Sequence, residues 1–170
     1  NYKMNKIIVP IIVILALVRL IPHPPNFTPI IAVGLFGGAY LNDKRLAFLV
    51  PILGMLIADA IIGFHIYMPF IYFSLVAIVL IGIKLNNNIN IINSSLSMLS
   101  GSILFFLVSN FGVWIIGYPK TIVGFVTCYS MAIPFFHNTL LGTFFYGGLL
   151  FGGYEFLSRY LSKNSIHKSI

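Results

Sequence analysis

Long apolar runs separated by short polar stretches dominate the chain. The runs lie at about 6–22, 29–41, 46–64, 69–83, 96–116 and 138–161, with a further run at about 121–136. Because a helix needs roughly 20 apolar residues to cross a bilayer, these runs predict membrane-spanning helices. The run at about 29–41 is the exception, since as a helix it is only about 20 Å long against a hydrocarbon core of roughly 30 Å. We expect it to be irregular, to lie in a thinned region or to gain length from its flanks.

The polar stretches are too short for a soluble domain, and 59% of the 170 residues are hydrophobic against 8% charged. This composition is typical of integral membrane proteins. We therefore predict one all-α transmembrane domain over residues 1–170, a six-helix polytopic bundle. The run at about 121–136, interrupted by Pro134, leaves two alternatives open: an extra re-entrant or interfacial segment, or a full crossing.

Basic residues gather on one side of this topology. If six runs cross and the N-terminus is cytoplasmic, the outer loops carry Lys120 alone, and the inner side carries Lys3, Lys6, Lys44, Arg45, Lys84, Arg159, Lys163 and Lys168. This positive-inside pattern predicts a bacterial inner (cytoplasmic) membrane protein with both termini in the cytoplasm. The formal charge of +7 is then explained by the basic residues at the cytoplasmic side of the membrane, and we expect no nucleic-acid partner. The first run lacks a small-residue cleavage site, so we read it as a retained span, with Met4 as a candidate start.

The same topology places several polar side chains on the outer side. They include three histidines and Asp59, which lies in the outer half of its span. Arg19 precedes His23 by four residues, or about one helical turn. Together these side chains predict an outward-facing ligand pocket lined by His23, Asn26, Asp59, His65, Trp114, His137 and Arg19. The ligand is expected to be a small molecule, and neither a metal nor a cofactor can be named from these residues.

A structural interpretation of the same residues stays open. Histidine rings are amphipathic and gather at membrane interfaces without sharing a site. Asp59 is harder to explain in that way, because a carboxylate costs about 2.5–3.5 kcal/mol at the centre of a membrane helix. Its structural alternative is an ion pair with Arg19 or a hydrogen bond that clamps two helices.

The segment Arg19–Pro29, which we call the polar turn, contains four prolines among its eleven residues. Proline cannot donate a backbone hydrogen bond and disfavours helix at the residue before it, so the first span must end here. Asn26 or Thr28 can then cap the next helix, with Pro29 in its first turn.

Two glycine pairs have the G-x-x-x-G spacing. They are Gly34 with Gly38 and Gly148 with Gly152. Small residues at this spacing let helices approach closely, and we expect packing within the chain rather than against another protein. Near the cytoplasmic end of the last span, Glu155 and Arg159 are spaced i, i+4, which favours a local structural ion pair.

The sequence offers little for enzyme chemistry. It contains no H-E-x-x-H, no G-x-S-x-G and no phosphate-binding loop, and it has only three carboxylates. We do not expect an enzyme.

Two stretches carry a family resemblance. Phe27–Tyr40, followed by a proline-bearing third span with Gly54 and Asp59, resembles the substrate-binding S components of energy-coupling factor (ECF) vitamin transporters. The strings H-P-P-N-F-T-P at 23–29 and N-F-G-V-W at 110–114 are still closer to small uncharacterised bacterial membrane proteins, and the similarity covers nearly the whole chain. The resemblance implies a six-helix protein that binds a vitamin or metal from outside and works with an ATP-driven energy-coupling module. Solitary cobalamin transporters are also similar, and a corrinoid pocket would suit His23 and Asp59.

Two functions from different classes remain. The first is binding and uptake of a small molecule of the vitamin or cofactor-precursor class through the outward-facing pocket. The alternative is a non-catalytic accessory or structural subunit that packs with other membrane subunits and lipid in a larger complex. Replacing Asp59 by asparagine separates them, because only the first function predicts loss of ligand binding in a folded protein.

Overall fold

The computed structural model describes residues 2–166, with side chains at 8–15 and 17–159, and the described chain contains no β-strand. Its α-helices are α1 (Tyr2–Leu17), α2 (Ile30–Tyr40), α3 (Lys44–Ile62), α4 (Met68–Leu85), α5 (Ile91–Gly117), α6 (Ile122–Gly147) and α7 (Gly153–Ile166). A 3-10 turn, Val18–Leu20, follows α1, and a π-helical segment, Gly148–Gly152, joins α6 to α7. The all-α prediction is confirmed over this range. Lys168, which the charge pattern placed in the cytoplasm, lies outside the described residues.

Three helices, α3, α4 and α5, are long and apolar enough to cross a membrane. The apolar stretches Ile8–Leu20 and Ile30–Tyr40 are shorter. The helix α6 is 26 residues long, but it carries His137 and Asn138 among its apolar side chains. The chain is therefore a helical membrane protein, as its composition predicted.

The short helix α2 lies at the centre of the structure. All of its residues from Ile31 to Ala39 are buried, and the helix contacts α1, α3, α4, α5 and α6. Because protein rather than lipid surrounds it, a helix of 11 residues need not match the thickness of the bilayer. This enclosure explains how the run at about 29–41 can be so short.

Glycines bring α2 and α4 together as parallel neighbours. Gly34 lies beside Leu75, and one turn later Gly38 lies beside Gly82. A Cβ placed on Gly38 would be 2.9 Å from the carbonyl carbon of Gly82 and 2.7 Å from the backbone nitrogen of Ile83, closer than Cβ atoms come in real structures. The first G-x-x-x-G pair thus packs within the chain, at a position where the partner helix also has a glycine.

The second glycine pair has a different environment. A Cβ placed on Gly148 or Gly152 would meet nothing within 4 Å. Both residues belong to the π-helical segment, and neither packs closely against another described helix. The intrachain packing expected for this pair is therefore corrected: equal spacing in the sequence corresponds here to open space.

The helix α6 also corrects the interpretation of the run at about 121–136. That run and the start of the following one form a single helix, which passes through Pro134. The helix packs antiparallel on α5, with the Tyr129 hydroxyl donating to the Leu107 carbonyl at 2.7 Å and Ser102 Oγ 3.1 Å from Thr143 Oγ1. Proline removes one backbone hydrogen bond, and the contacts with α5 hold the helix on both sides of that position. Within this described stretch, no re-entrant segment separates the two runs.

Candidate functional site

Asp59 is the most deeply buried charged side chain in the described chain, with 1% of its surface exposed. Arg19 donates through Nη1 to Asp59 Oδ1 at 2.5 Å, and the Tyr72 hydroxyl donates to Oδ2 at 2.8 Å. The same arginine nitrogen lies 3.2 Å from Met55 Sδ, one turn before Asp59 on α3. Each carboxylate oxygen therefore has a donor of its own. We call these three polar residues the Arg19–Asp59–Tyr72 cluster.

Three local features of the sequence place the cluster. The prolines of the polar turn prevent the first helix from continuing, and Arg19 lies in the 3-10 turn that follows α1. Gly63 has a φ of 118°, which glycine tolerates, and its N–H donates to the Asp59 carbonyl at 2.8 Å, so α3 ends one turn after Asp59. The chain then reverses and α4 starts at Met68, which puts Tyr72 in the second turn of α4. The end of α1, the end of α3 and the start of α4 thus meet at one level of the bundle.

Removing one member of the cluster and replacing the whole ion pair have different effects on stability. Removing one partner of a buried ion pair commonly costs about 3–5 kcal/mol, because the other charge is left buried without compensation. Replacing a whole buried pair by well-packed apolar side chains is often neutral or stabilising. Arg19 is 19% exposed, so it retains some contact with the surroundings. The cluster must therefore be complete for stability, whereas a buried ion pair as such is weak evidence for a stabilising role.

The polar turn has an irregular backbone held by hydrogen bonds. Asn26 has a φ of 63°, in the left-handed region that asparagine tolerates better than most residues. The Phe27 N–H donates to the Pro24 carbonyl at 3.0 Å. From α6, Asn138 Nδ2 donates to the Pro25 carbonyl at 3.0 Å. The turn is therefore fixed to the body of the protein.

The turn leads into α2 without the side-chain cap that the sequence suggested. Pro29 itself is the N-cap residue, and neither Asn26 nor Thr28 supplies the expected hydrogen bond. The Pro29 carbonyl accepts from the Val33 N–H at 2.8 Å and so begins the helical pattern. The predicted cap is wrong because the helix begins later than the spacing suggested.

The predicted pocket residues lie in separate parts of the structure. His23 lies on the polar turn, with Nδ1 2.6 Å from the Ile21 carbonyl. His65 is exposed between α3 and α4, and His137 is exposed on α6. Trp114 Nε1 donates to the Pro119 carbonyl at 3.2 Å, beyond the end of α5.

Of the seven predicted residues, Arg19 and Asp59 are joined directly to each other. A cavity of about 10 Å³ lies beside Arg19, Pro29 and Met55. That volume holds about one water molecule. The structure therefore provides a buried polar centre at this end of the bundle, and the space beside it is too small for a vitamin-sized molecule.

Sequence reasoning misses Tyr72. The chain has nine tyrosines, and a tyrosine in a span commonly needs no special explanation. Only its position opposite Asp59 after the chain reversal distinguishes it. Gly82, the partner of Gly38, is missed for the same reason, because its role depends on the crossing of two helices.

The predicted ion pair outside the cluster is present. Arg159 Nη2 lies 3.3 Å from Glu155 Oε1, with side chains 79% and 52% exposed, so the predicted i, i+4 pair is present. An exposed pair of this kind contributes at most about 1 kcal/mol. Within the described residues, no three His, Cys, Asp or Glu side chains are grouped so that they could hold a metal ion.

The fold and the cluster define a class: a helical membrane protein with a buried ion pair between its first and third helices. The chain belongs to the family described as "Family of unknown function (DUF6580)", whose model matches residues 1–165. Neither a curated protein nor a solved structure matches the chain.

Proposed function

We propose that this protein binds a small molecule of the vitamin or cofactor-precursor class and carries it across the membrane, as S components do. The observation that supports this proposal is the burial of Asp59 with Arg19 and Tyr72. Ionisable residues inside membrane proteins are expensive and mark substrate or ion pathways by default. Since well-packed apolar side chains often stabilise a protein as well as a buried ion pair does, stability alone does not account for these charges.

For this function, the structure is a state that is closed at the polar-turn end. The cavity beside Arg19 admits about one water molecule, so a substrate must separate the residues of the cluster in order to enter. A substrate with its own polar groups would replace Asp59 as the partner of Arg19, or Arg19 as the partner of Asp59. Uptake would then proceed by occlusion and reorientation, alone or with an ATP-driven module.

We also propose a topology for this function. Helix directions alternate from α1 to α6, because α1 and α3 run parallel, α2 and α4 run parallel, and the pairs α2–α3, α4–α5 and α5–α6 are antiparallel. With the N-terminus in the cytoplasm of a bacterium, six crossings of the inner membrane put the C-terminus there too. Joining the run at 121–136 to α6 supports this arrangement, because it removes the seventh crossing that would have moved Arg159 outside.

A second candidate function is favoured by one observation. Gly148, Gly152 and Gly153 all have open space where a side chain would lie. Glycine faces of this kind let helices of different proteins approach closely. An accessory subunit of a larger membrane complex would use such a face.

The experiment compares Asp59→Asn with Asp43→Asn. Asp43 is exposed and accepts a hydrogen bond from the Arg45 N–H at 2.8 Å, a capping role that asparagine performs equally well. Each protein is extracted gently from its own membrane and examined by native mass spectrometry for retained small molecules and protein subunits. Circular dichroism and gel filtration establish that each variant is folded.

We expect the unaltered protein and Asp43→Asn to retain a small molecule that Asp59→Asn loses. If Asp59→Asn does not fold, Tyr72→Phe serves in its place, because it removes one donor and keeps the ion pair. Equal retention by Asp59→Asn, or stoichiometric protein partners with no small molecule, would reject the uptake proposal. The second of these results would establish the accessory subunit.

A further inference from the structure

A second space, far larger than the cavity beside Arg19, lies at the opposite end of the bundle from the polar turn. It is a cleft of about 850 Å³ between the start of α5, the end of α2 and the segment where α6 passes into α7. Small-molecule sites commonly have volumes of about 300–1,000 Å³. We call this space the inner cleft. None of the predicted pocket residues from the polar-turn end lines it.

The inner cleft exists because α5 and α6 stop touching at a defined point. A Cβ on Gly147 would collide with the side chain of Met98, so the two helices are in close contact there. Beyond that contact α6 becomes the π-helical segment, in which Gly148 and Gly152 line the cleft, and a Cβ on either would meet nothing within 4 Å. These two glycines leave the cleft open. In most membrane proteins G-x-x-x-G lets two helices touch, whereas here the two glycines leave a space between helices.

The walls of the cleft divide into an apolar body and a polar rim. Met98, Phe144 and Phe151 supply apolar surface, and Phe151 packs edge-on against Phe36 of α2 at a ring distance of 5.4 Å. Such surface favours a hydrocarbon or a ring system.

Among the residues whose side chains the structure describes, the polar rim contains one acid and one base. Glu155 and Arg159 both line the cleft and lie 3.3 Å apart, so a negative and a positive charge lie side by side there. A ligand head with a single charge would meet repulsion from one of them. A zwitterionic head can place its cation beside Glu155 and its anion beside Arg159.

Ser94 gives a second and independent sign of a ligand. It lines the cleft at only 7% exposure, and among the described residues its hydroxyl has no hydrogen-bond partner. Other serines of α5 do find one, since the hydroxyls of Ser100 and Ser102 donate to carbonyls four residues earlier at 2.7 and 2.8 Å. A buried hydroxyl without a partner costs free energy, and a ligand carbonyl or ester oxygen in the cleft would accept from it.

We propose that the inner cleft binds an amphiphile with an apolar body and a zwitterionic head. The apolar body lies against Met98, Phe144 and Phe151, Ser94 donates to an oxygen near the head, and the head lies at Glu155 and Arg159. Such a molecule comes either from the bilayer, as a phospholipid, or from solution as a free zwitterionic amphiphile. The proposal does not rest on the uptake function, because it uses no residue of the Arg19–Asp59–Tyr72 cluster.

The test fills the cleft without disturbing the fold. In the double variant Gly148→Leu/Gly152→Leu, two side chains enter space that the structure leaves open. The matched control is Gly153→Leu, since a Cβ on Gly153 would also meet nothing within 4 Å but this residue does not line the cleft. The unaltered protein, the double variant and Gly153→Leu are each placed in vesicles of phosphatidylethanolamine and phosphatidylglycerol with a trace of photoactivatable phosphatidylethanolamine. After illumination, labelled peptides are identified by mass spectrometry.

We expect the probe to label the peptides that contain Met98, Phe144 or Phe151. Labelling should fall at least about tenfold in the double variant and remain unchanged in Gly153→Leu. At a fixed fraction of probe, labelling should fall as the ratio of phosphatidylethanolamine to phosphatidylglycerol in the vesicles is raised, because phosphatidylglycerol with the same chains should compete several-fold less well.

Four other results decide the proposal. If labelling is absent but native mass spectrometry finds a zwitterionic non-lipid molecule that only the double variant loses, the site stands and its source is solution. Equal labelling of all three proteins overturns the proposal, and so does equal competition by both lipids. Loss of a protein partner in the double variant, with no amphiphile bound to the unaltered protein, also overturns it and assigns the glycines to a subunit interface.

Discussion

The contact between Gly38 and Gly82 gives the sharpest prediction about stability. In Gly38→Ala the new Cβ would lie 2.7 Å from the backbone nitrogen of Ile83 and 2.9 Å from the carbonyl carbon of Gly82. The obstructing atoms belong to the backbone of α4, so no side-chain rotation can relieve the collision. The helices α2 and α4 must move apart, at the centre of the protein where α2 is buried on all sides.

The expected change in the free energy of unfolding of Gly38→Ala is the sum of two opposing effects. Overpacking in a well-packed core costs typically about 1–3 kcal/mol, and a collision with backbone belongs at the upper end, about 3 kcal/mol. Replacing glycine by alanine within a helix returns about 1 kcal/mol through helix propensity. The expected net loss in the free energy of unfolding is therefore about 2 kcal/mol. In Gly148→Ala the collision is absent, so the same exchange should be neutral or should raise the stability by up to about 1 kcal/mol.

The assay is reversible unfolding in mixed micelles with increasing dodecyl sulfate, followed by far-ultraviolet circular dichroism. Both variants and the unaltered protein are measured at the same protein concentration. If Gly38→Ala were as stable as the unaltered protein, the close approach of α2 and α4 would not exist as described. Equal losses in Gly38→Ala and Gly148→Ala would show that both G-x-x-x-G pairs pack in the same way, which contradicts the open space at Gly148.

Two further variants test the cluster and the polar turn in the same unfolding assay. Tyr72→Phe removes a hydrogen bond to a buried carboxylate and should lower the free energy of unfolding by about 1.5–3 kcal/mol, whereas an unchanged value would mean that the hydroxyl does not contact Asp59. Asn26→Val should cost about 1–2 kcal/mol because a β-branched residue resists a φ of 63°, while Asn26→Gly should cost nothing beyond the lost side-chain contacts. Equal stability of the two Asn26 variants would show that the left-handed conformation is not required.

The buried ion pair shows which residues of the site could be predicted from the sequence. A carboxylate in an apolar run is unusual enough to single out Asp59, and Arg19 lies near the outer end of the first run. The structural alternative considered for Asp59, an ion pair with Arg19, has the geometry observed. Tyr72 could not be chosen in this way, because its role depends on which of nine tyrosines faces Asp59 after the chain reverses at Gly63.

The histidines show which part of the predicted site could not be derived from the sequence. Their shared side of the membrane was inferred from a count of spans, and a shared side does not imply a shared site. His65 is exposed on a loop, and His137 is exposed on a helix that the sequence pattern divided into the runs at about 121–136 and 138–161. The positions of residues along a membrane normal follow from hydropathy, but their positions around the bundle depend on which helices are neighbours.

By itself, the sequence determined that this protein lies in lipid and that it is helical. Apolar runs must satisfy their backbone hydrogen bonds internally when they enter lipid, so helices follow from composition, and the prolines of the polar turn fix where the first of them ends. Only the tertiary structure decided which helix is enclosed, which glycines touch and where a cleft remains. Gly38 and Gly148 occupy the same local pattern, yet a Cβ on the first would collide with the backbone of α4 and a Cβ on the second would meet open space. The difference arises from the neighbouring helix, which no local pattern specifies.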